Sequence, residues 1–242
     1  TTNVIQGIWV SMIALAAYFA LIYLIKKYPK SKAVCIVMVG VLAVELFANS
    51  ADTIDKIDTD VAYSKYTSYE PYMTQTRNAV SMMKEYDPSL FYRMEATFHR
   101  TVNDPIGTGY KGISHSSSTM NAPALMMLHK LGYAYGGHYT KYDGTTFMTD
   151  ALFDIKYLMD KTGNTSFVGT RVKVPEEYKL TTEYTEGDAT YKFYNNPNAL
   201  GLGMVSSPGI EDVSLSEDNP FENQNMVFNA LAGTTKEYFT KI

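Results

Sequence analysis

"GIWVSMIALAAYFALIYLI", residues 7–25, is a run of nineteen positions without a charged side chain. Coiled as an α-helix at ~1.5 Å per residue, it spans roughly the ~30 Å hydrocarbon core of a bilayer. Trp9 and Tyr23 stand near its two ends, where amphipathic rings favour the membrane–water interface. A secretory signal would carry a basic segment before a shorter apolar core, and no Lys or Arg precedes residue 7. A buried hairpin of a soluble protein is the remaining alternative. The charge-free length and the placement of the rings favour a membrane span.

A second run, "AVCIVMVGVLAVELFANSA" (33–51), has the same character but carries Glu45. Lys26, Lys27, Lys30 and Lys32 crowd the linker around Pro29, whereas Lys56 stands among Asp52, Asp55, Asp58 and Asp60 beyond the second run. The positive-inside rule puts that linker in the cytoplasm and everything after about residue 52 outside. The expected division is a two-helix transmembrane hairpin, 1–51, and an extracytoplasmic domain, 52–242. Glu45 lies about one turn from the outer end of its span, with Asn49 four residues on, on the same helix face. An intramembrane carboxylate costs a few kcal/mol near the bilayer centre and less near the interface. Glu45 either snorkels, pairs with a polar group on another helix, or forms with Asn49 a contact in a polar membrane cavity.

The net charge of −4 provides no basic field, so nucleic acid is not an expected partner. The one cysteine, Cys35, lies in an apolar run and leaves no internal disulfide framework. The chain opens on Thr1 in mid-pattern and is expected to be a piece of a longer protein.

In the outer part, Tyr63, Tyr66, Tyr69 and Tyr72 recur every third residue. Such rings form ordinary packing, an interfacial belt or a sugar-stacking strip. Residues 70–88 predict a helix with Pro71 in its first turn and Asp87-Pro88 as its stop. Residues 89–98 alternate as a strand, and 102–118 read as a turn-rich loop. Residues 119–132 predict a helix capped at Thr119 or Asn121 and ended by Gly132. A shorter helix is expected over 144–155, a strand at "KYLMD" and a hairpin over 177–196 around Glu186-Gly187-Asp188. A last helix covers 220–233. Helices mixed with mostly antiparallel strands make this part α+β, a mixed α/β domain.

Gly107, Gly109 and Gly112 match G-x-G-x-x-G, but "NDPI" is no strand and no acid occurs between Asp104 and Asp143. A dinucleotide site needs both. "GISHS" lacks the last small residue of a nucleophile elbow, since Ser116 stands where glycine belongs. The four histidines, His99, His115, His129 and His138, show no paired ligand spacing, so no metal is expected. The hydroxyls of Ser114, Ser116, Ser117 and Ser118, with Arg93 and glycine-freed amides, suit an anion or sugar hydroxyls. The plain alternative is a set of serine turns before a helix cap.

Glu45 and Asn49 closing a span, "FYRME" (91–95), "GYKGISHSSS" (109–118), "LG" (131–132), "ALFDIKYLMD" (151–160) and "NPFENQN" (219–225) occur in this order. In this combination the chain resembles the YfhO family of bacterial polytopic membrane proteins. The resemblance implies a protein of the GT-C glycosyltransferase type in the bacterial cytoplasmic membrane. Such proteins take a sugar from a polyprenyl-phosphate carrier on the outer face and pass it to an envelope polymer such as teichoic acid. It implies further transmembrane helices, and a catalytic carboxylate in an earlier loop, so no catalytic residue is assigned here. The implied partners are the lipid bilayer, the lipid-linked sugar donor, the envelope glycopolymer and the remaining helices, with no cofactor in this part. Arg93, Tyr110, Lys111, Ser114, His115, Ser116 and Ser117 are the expected substrate-binding residues, and Glu45 and Asn49 the polar membrane contact. The rival readings are a membrane-anchored envelope-binding or scaffolding domain and a serine hydrolase acting through Ser114.

Overall fold

Two long helices come first. In the computed structural model, which describes residues 2–60, 65–163 and 172–240, α1 (Thr2–Lys27) and α2 (Lys32–Asp60) flank a tight turn at Pro29. The residue before a proline is biased against helical geometry, and α1 ends at Lys27, with its last turn carrying Lys26 and Lys27 against the helix C-terminus. Gly7–Lys27 and Lys32–Ile57 are long and apolar enough to cross a membrane. Their large side chains point outward, with Phe19 65% and Phe47 77% exposed. Hydrocarbon solvates such a surface and water does not. α2 continues past residue 51 to Asp60, with Lys56 bridging Asp52 one turn away at 2.6 Å.

The chain divides into two compact units, Thr1–Ser64 and Lys65–Ile242. In the second, α3 (Tyr66–Tyr86) starts earlier than the expected residue 70, so Pro71 lies inside the helix and not in its first turn. Tyr72, Met73, Thr76, Ala79, Val80 and Met83 form one buried stripe at helical spacing. Of the tyrosine series, Tyr63 lies outside the described residues; Tyr66 and Tyr69 are exposed, and Tyr72 is core. The Asp87 amide closes the helix on the Met83 carbonyl at 2.9 Å, and Pro88 follows.

Then come β1 (Arg93–Ala96), α4 (Asp104–Thr108), β2 (His115–Ser116), α5 (Ala122–Lys130), β3 (Ala134–Gly136), β4 (Tyr139–Lys141) and α6 (Phe147–Leu152). They are followed by β5 (Ile155–Gly163), β6 (Lys179–Glu186), β7 (Ala189–Asn195) and α7 (Pro220–Ala232). The main sheet has the order β1-β5-β7-β6, with β1 parallel to β5 and the other pairs antiparallel. A small antiparallel sheet, β2-β4-β3, is built by the segment that crosses between β1 and β5. The turn-rich stretch 102–118 is therefore not plain loop, since it holds α4 and β2. The expected strand over 89–98 shrinks to β1, leaving Leu90 and Phe91 outside it.

Alternation along β5 separates two cores. Met159 joins Tyr72, Met83, Phe98, Tyr191 and Phe193 under α3, while Leu158 joins Tyr133, Tyr142, Ile155 and Tyr178 on the other face. Gly187, at φ +62°, supplies the left-handed residue that lets the two-residue turn close with Glu186 opposite Ala189.

Candidate functional site

The centre of the second unit's polar chemistry is Glu95. It sits in β1 between Met94 and Ala96 and is 1% exposed. The segment after α4 wraps around it. The Ser114 amide donates to Oε1 at 2.8 Å, the Ile113 amide donates to the same oxygen, and the Ser114 hydroxyl donates to Oε2 at 3.3 Å. Gly112 makes this approach possible, because a Cβ there would lie 2.6 Å from Oε1 and 3.0 Å from Pro105. Burial pushes the Glu95 carboxyl up to about 7, against the opposing pull of the Ser114 and Ile113 donors. "FYRME" and "GYKGISHSSS" are thus one constellation, closed by a buried carboxylate.

Ser114 is committed to that role. Its Oγ also accepts the Tyr142 amide at 2.9 Å. Buried, with its hydroxyl held between Glu95 and the Tyr142 amide, Ser114 faces into the fold. The other expected binding residues separate. Ser116 exchanges two main-chain bonds with the Asn103 side chain, at 2.8 and 3.1 Å. Ser117 accepts the Thr119 amide at 3.2 Å, a local serine turn, and the cap of α5 is Asn121, which accepts from Ala124 at 3.0 Å. His115 pairs with Thr140 across the small sheet, and its Nδ1 is buried without a hydrogen-bond partner among the described residues. Arg93 donates to the Phe153 carbonyl at 2.8 Å and so braces the turn into β5.

Tyr110 and Lys111 go elsewhere. They line a cleft of ≈ 320 Å³ beside the C-terminal end of α3, together with Lys84, Asp87, Leu90 and Tyr92. Lys84 Nζ donates to the Gly109 carbonyl at 2.6 Å, and Lys111 Nζ donates to the Leu90 carbonyl while lying 5.5 Å from the Phe91 ring. Asp87 accepts from Lys156 at 2.6 Å, Tyr157 at 2.9 Å and the Ser89 hydroxyl at 2.6 Å. Burial would raise its carboxyl, but these donors outweigh burial and hold it well below the usual carboxylate range. The Tyr110 hydroxyl is pushed well above its ordinary value, first by burial and then by the nearby Glu95.

Sequence reasoning missed Lys84, Asp87, Tyr92 and Glu95. Asp87 reads only as a helix stop. A signal for Glu95 existed: it is a lone acid between apolar neighbours in a strand. Among the described residues no group of three His, Cys, Asp or Glu side chains could hold a metal ion.

In the first unit, Glu45 accepts a hydrogen bond from the Tyr18 hydroxyl on the neighbouring helix. The carboxylate therefore finds a polar partner within the hairpin itself, and Asn49 is exposed one turn further along α2. The family described as bacterial membrane protein YfhO matches residues 2–242. The chain belongs to that family. No curated protein and no solved structure matches the chain. Membership in YfhO, together with two long apolar helices, gives the chain a membrane location.

Proposed function

We propose that this chain is the late-span and outer accessory part of a membrane glycosyltransferase-like protein. That protein moves a sugar from a polyprenyl-phosphate carrier to an envelope polymer such as teichoic acid. The outer unit lies on the extracytoplasmic face, as the lysines of the 26–32 linker favour. The observation that carries the reading is the placement of Tyr110 and Lys111 on the wall of a cleft, fixed from behind by the Glu95 clamp. A departing polyprenyl phosphate needs cationic or donor stabilisation, and Lys111 and Lys84 stand where a ligand in the cleft would meet them. Asp87 is too weak a base to take a proton from an acceptor hydroxyl, so the cleft is assigned to binding. The catalytic carboxylate belongs elsewhere in the protein.

The test is Lys111→Gln and Tyr110→Phe in the full-length protein, with polymer glycosylation read against protein level. Reduced glycosylation at normal protein level is expected. Unchanged glycosylation rejects a role for this cleft in transfer. A second reading, a non-catalytic envelope-binding domain, is favoured by Ser114, Ser116 and Asn103 spending their polar groups within the fold. Polymer retention lost while transfer continues would select it.

A further inference from the structure

The segment that follows α7 returns along the helix and is pinned there by two asparagines four residues apart. Asn225 Nδ2 donates to the Phe239 carbonyl at 2.8 Å, and its Oδ1 accepts the Tyr238 and Phe239 amides, both at 3.0 Å. Asn229 holds Lys236 in the same way, donating to its carbonyl at 2.7 Å and accepting its amide at 2.8 Å. Residues four apart share a helix face, so these side chains fix the segment against one side of α7. Its rings then meet other rings. Phe239 lies 5.2 Å from Phe221 and 6.0 Å from Phe147, centroid to centroid. Phe221 stays 53% and Tyr238 36% exposed.

Phe221, Tyr238 and Phe239 line a cleft of ≈ 620 Å³ together with Glu222 and Glu237. It shares no residue with the cleft of Tyr110 and Lys111. Among the described residues no Lys or Arg lines it, and neither carboxylate forms an ion pair. Both carboxylates are exposed. Aromatic faces carry the negative side of the ring quadrupole, so rings and carboxylates favour the same sign of ligand. An anion is repelled. A neutral sugar would stack on the rings and leave the two charges unused. A primary ammonium is a compact, strongly hydrated charge, which ring faces desolvate poorly. A quaternary ammonium has no N–H to satisfy and is the cation that aromatic cages take best. We propose that this cleft binds a quaternary ammonium group on a molecule without a neighbouring anion. The rings of Phe221, Tyr238 and Phe239 take the methylated head, and Glu222 and Glu237 balance its charge. The Asn225 clamp sets two of the three rings in place before the ligand arrives, which lowers the ordering cost of binding.

The test is a calorimetric titration of the full-length protein in maltoside micelles, with micelles alone subtracted. The probes are choline, its uncharged isostere dimethylbutanol, and glycerophosphocholine, whose phosphate would enter beside the two carboxylates. The third probe separates a soluble cation from a lipid head group. Choline is expected to saturate in the millimolar range, with the other two binding far more weakly. Phe221→Leu and Tyr238→Leu should each weaken choline about fivefold, the worth of one exposed cation–π contact. The pair Glu222→Gln with Glu237→Gln should weaken it about tenfold. That pair leaves the ring packing intact, so it decides the matter even where a ring variant loses stability. No saturation by choline, equal binding of dimethylbutanol or glycerophosphocholine, or wild-type affinity in the carboxylate pair would overturn the proposal. The titration needs no sugar transfer, so its outcome is independent of the transfer reading.

Discussion

Glu95 and Ser114, nineteen residues apart, are joined twice: the Ser114 amide meets Oε1 at 2.8 Å and its hydroxyl meets Oε2 at 3.3 Å. The carboxylate is buried without a basic partner among its hydrogen bonds, so main-chain amides carry the compensation that a cation would otherwise supply. The main sheet and the 110–118 segment are thereby locked together.

Removing the acceptor should be costly. Glu95→Ala leaves the buried Ser114 amide and the half-buried Ile113 amide without their partner, and each such loss costs up to about 1–3 kcal/mol. Glu95→Gln keeps one acceptor oxygen and should cost less. Urea unfolding of the two variants, compared with wild type, measures the difference; equal midpoints for all three would show that the clamp does not stabilise the fold.

The pH dependence has a definite sign. The Glu95 carboxyl rises from its ordinary 4.5 to about 7 in the fold, so the native state binds more protons than the unfolded state between those values. Its contribution is fully present below about 4.5 and is lost as pH rises through about 7, a change of about 3 kcal/mol. Asp150, raised to about 6 by burial despite the Tyr142 and Tyr178 hydroxyls, adds in the same direction. Asp87 acts oppositely: held low, it contributes above its unfolded value and is lost as pH falls. Thermal melts across pH 4–8 should show the downward slope flatten in Glu95→Gln.

Gly112→Ala should loosen the clamp from its other side. The added methyl would stand 2.6 Å from Glu95 Oε1, and relief of such overpacking costs about 1–3 kcal/mol. Faster hydrogen exchange at the Ile113 and Ser114 amides is the expected signature, and unchanged protection would refute it.

The amides of α7 act as struts. Asn223 donates to the Lys130 carbonyl at 2.7 Å, and Gln224 donates to the Leu131 carbonyl at 2.8 Å while accepting from Thr146 at 2.6 Å. Both side chains are buried. Asn223 also donates to the Ser216 carbonyl and accepts the Ser216 amide, both at 2.9 Å, so Asn223→Ala removes three main-chain bonds and should destabilise by about 3 kcal/mol, at ~1 each. A denaturation midpoint within error of wild type would exclude the strut role.

Membrane orientation can be read with thiol labelling in a Cys35→Ser background. A cysteine at Lys30 should react only after the membrane is permeabilised, and one at the exposed Ser118 should react in intact cells. The reverse pattern would invert the proposed topology.

The sequence by itself determined the two apolar helices, the α7 helix, the hairpin at Gly187 and the mixed character of the second unit. Each is set by local physics: a charge-free run long enough for a bilayer, a cap and a periodic stripe, a glycine at a positive-φ turn. The family resemblance set "FYRME" and "GYKGISHSSS" in one pattern, without showing that they touch. Only tertiary structure decided that Glu95 is the acceptor of the second motif and that Ser114 faces inward. It also decided that Lys111 parts from its serine neighbours and lines the same cleft as Lys84. Such relations hang on the parallel β1–β5 pairing and on one buried carboxylate whose energy depends on groups far along the chain. Desolvation and hydrogen bonding at a buried site are properties of the surroundings, and no periodicity or spacing along the chain encodes them.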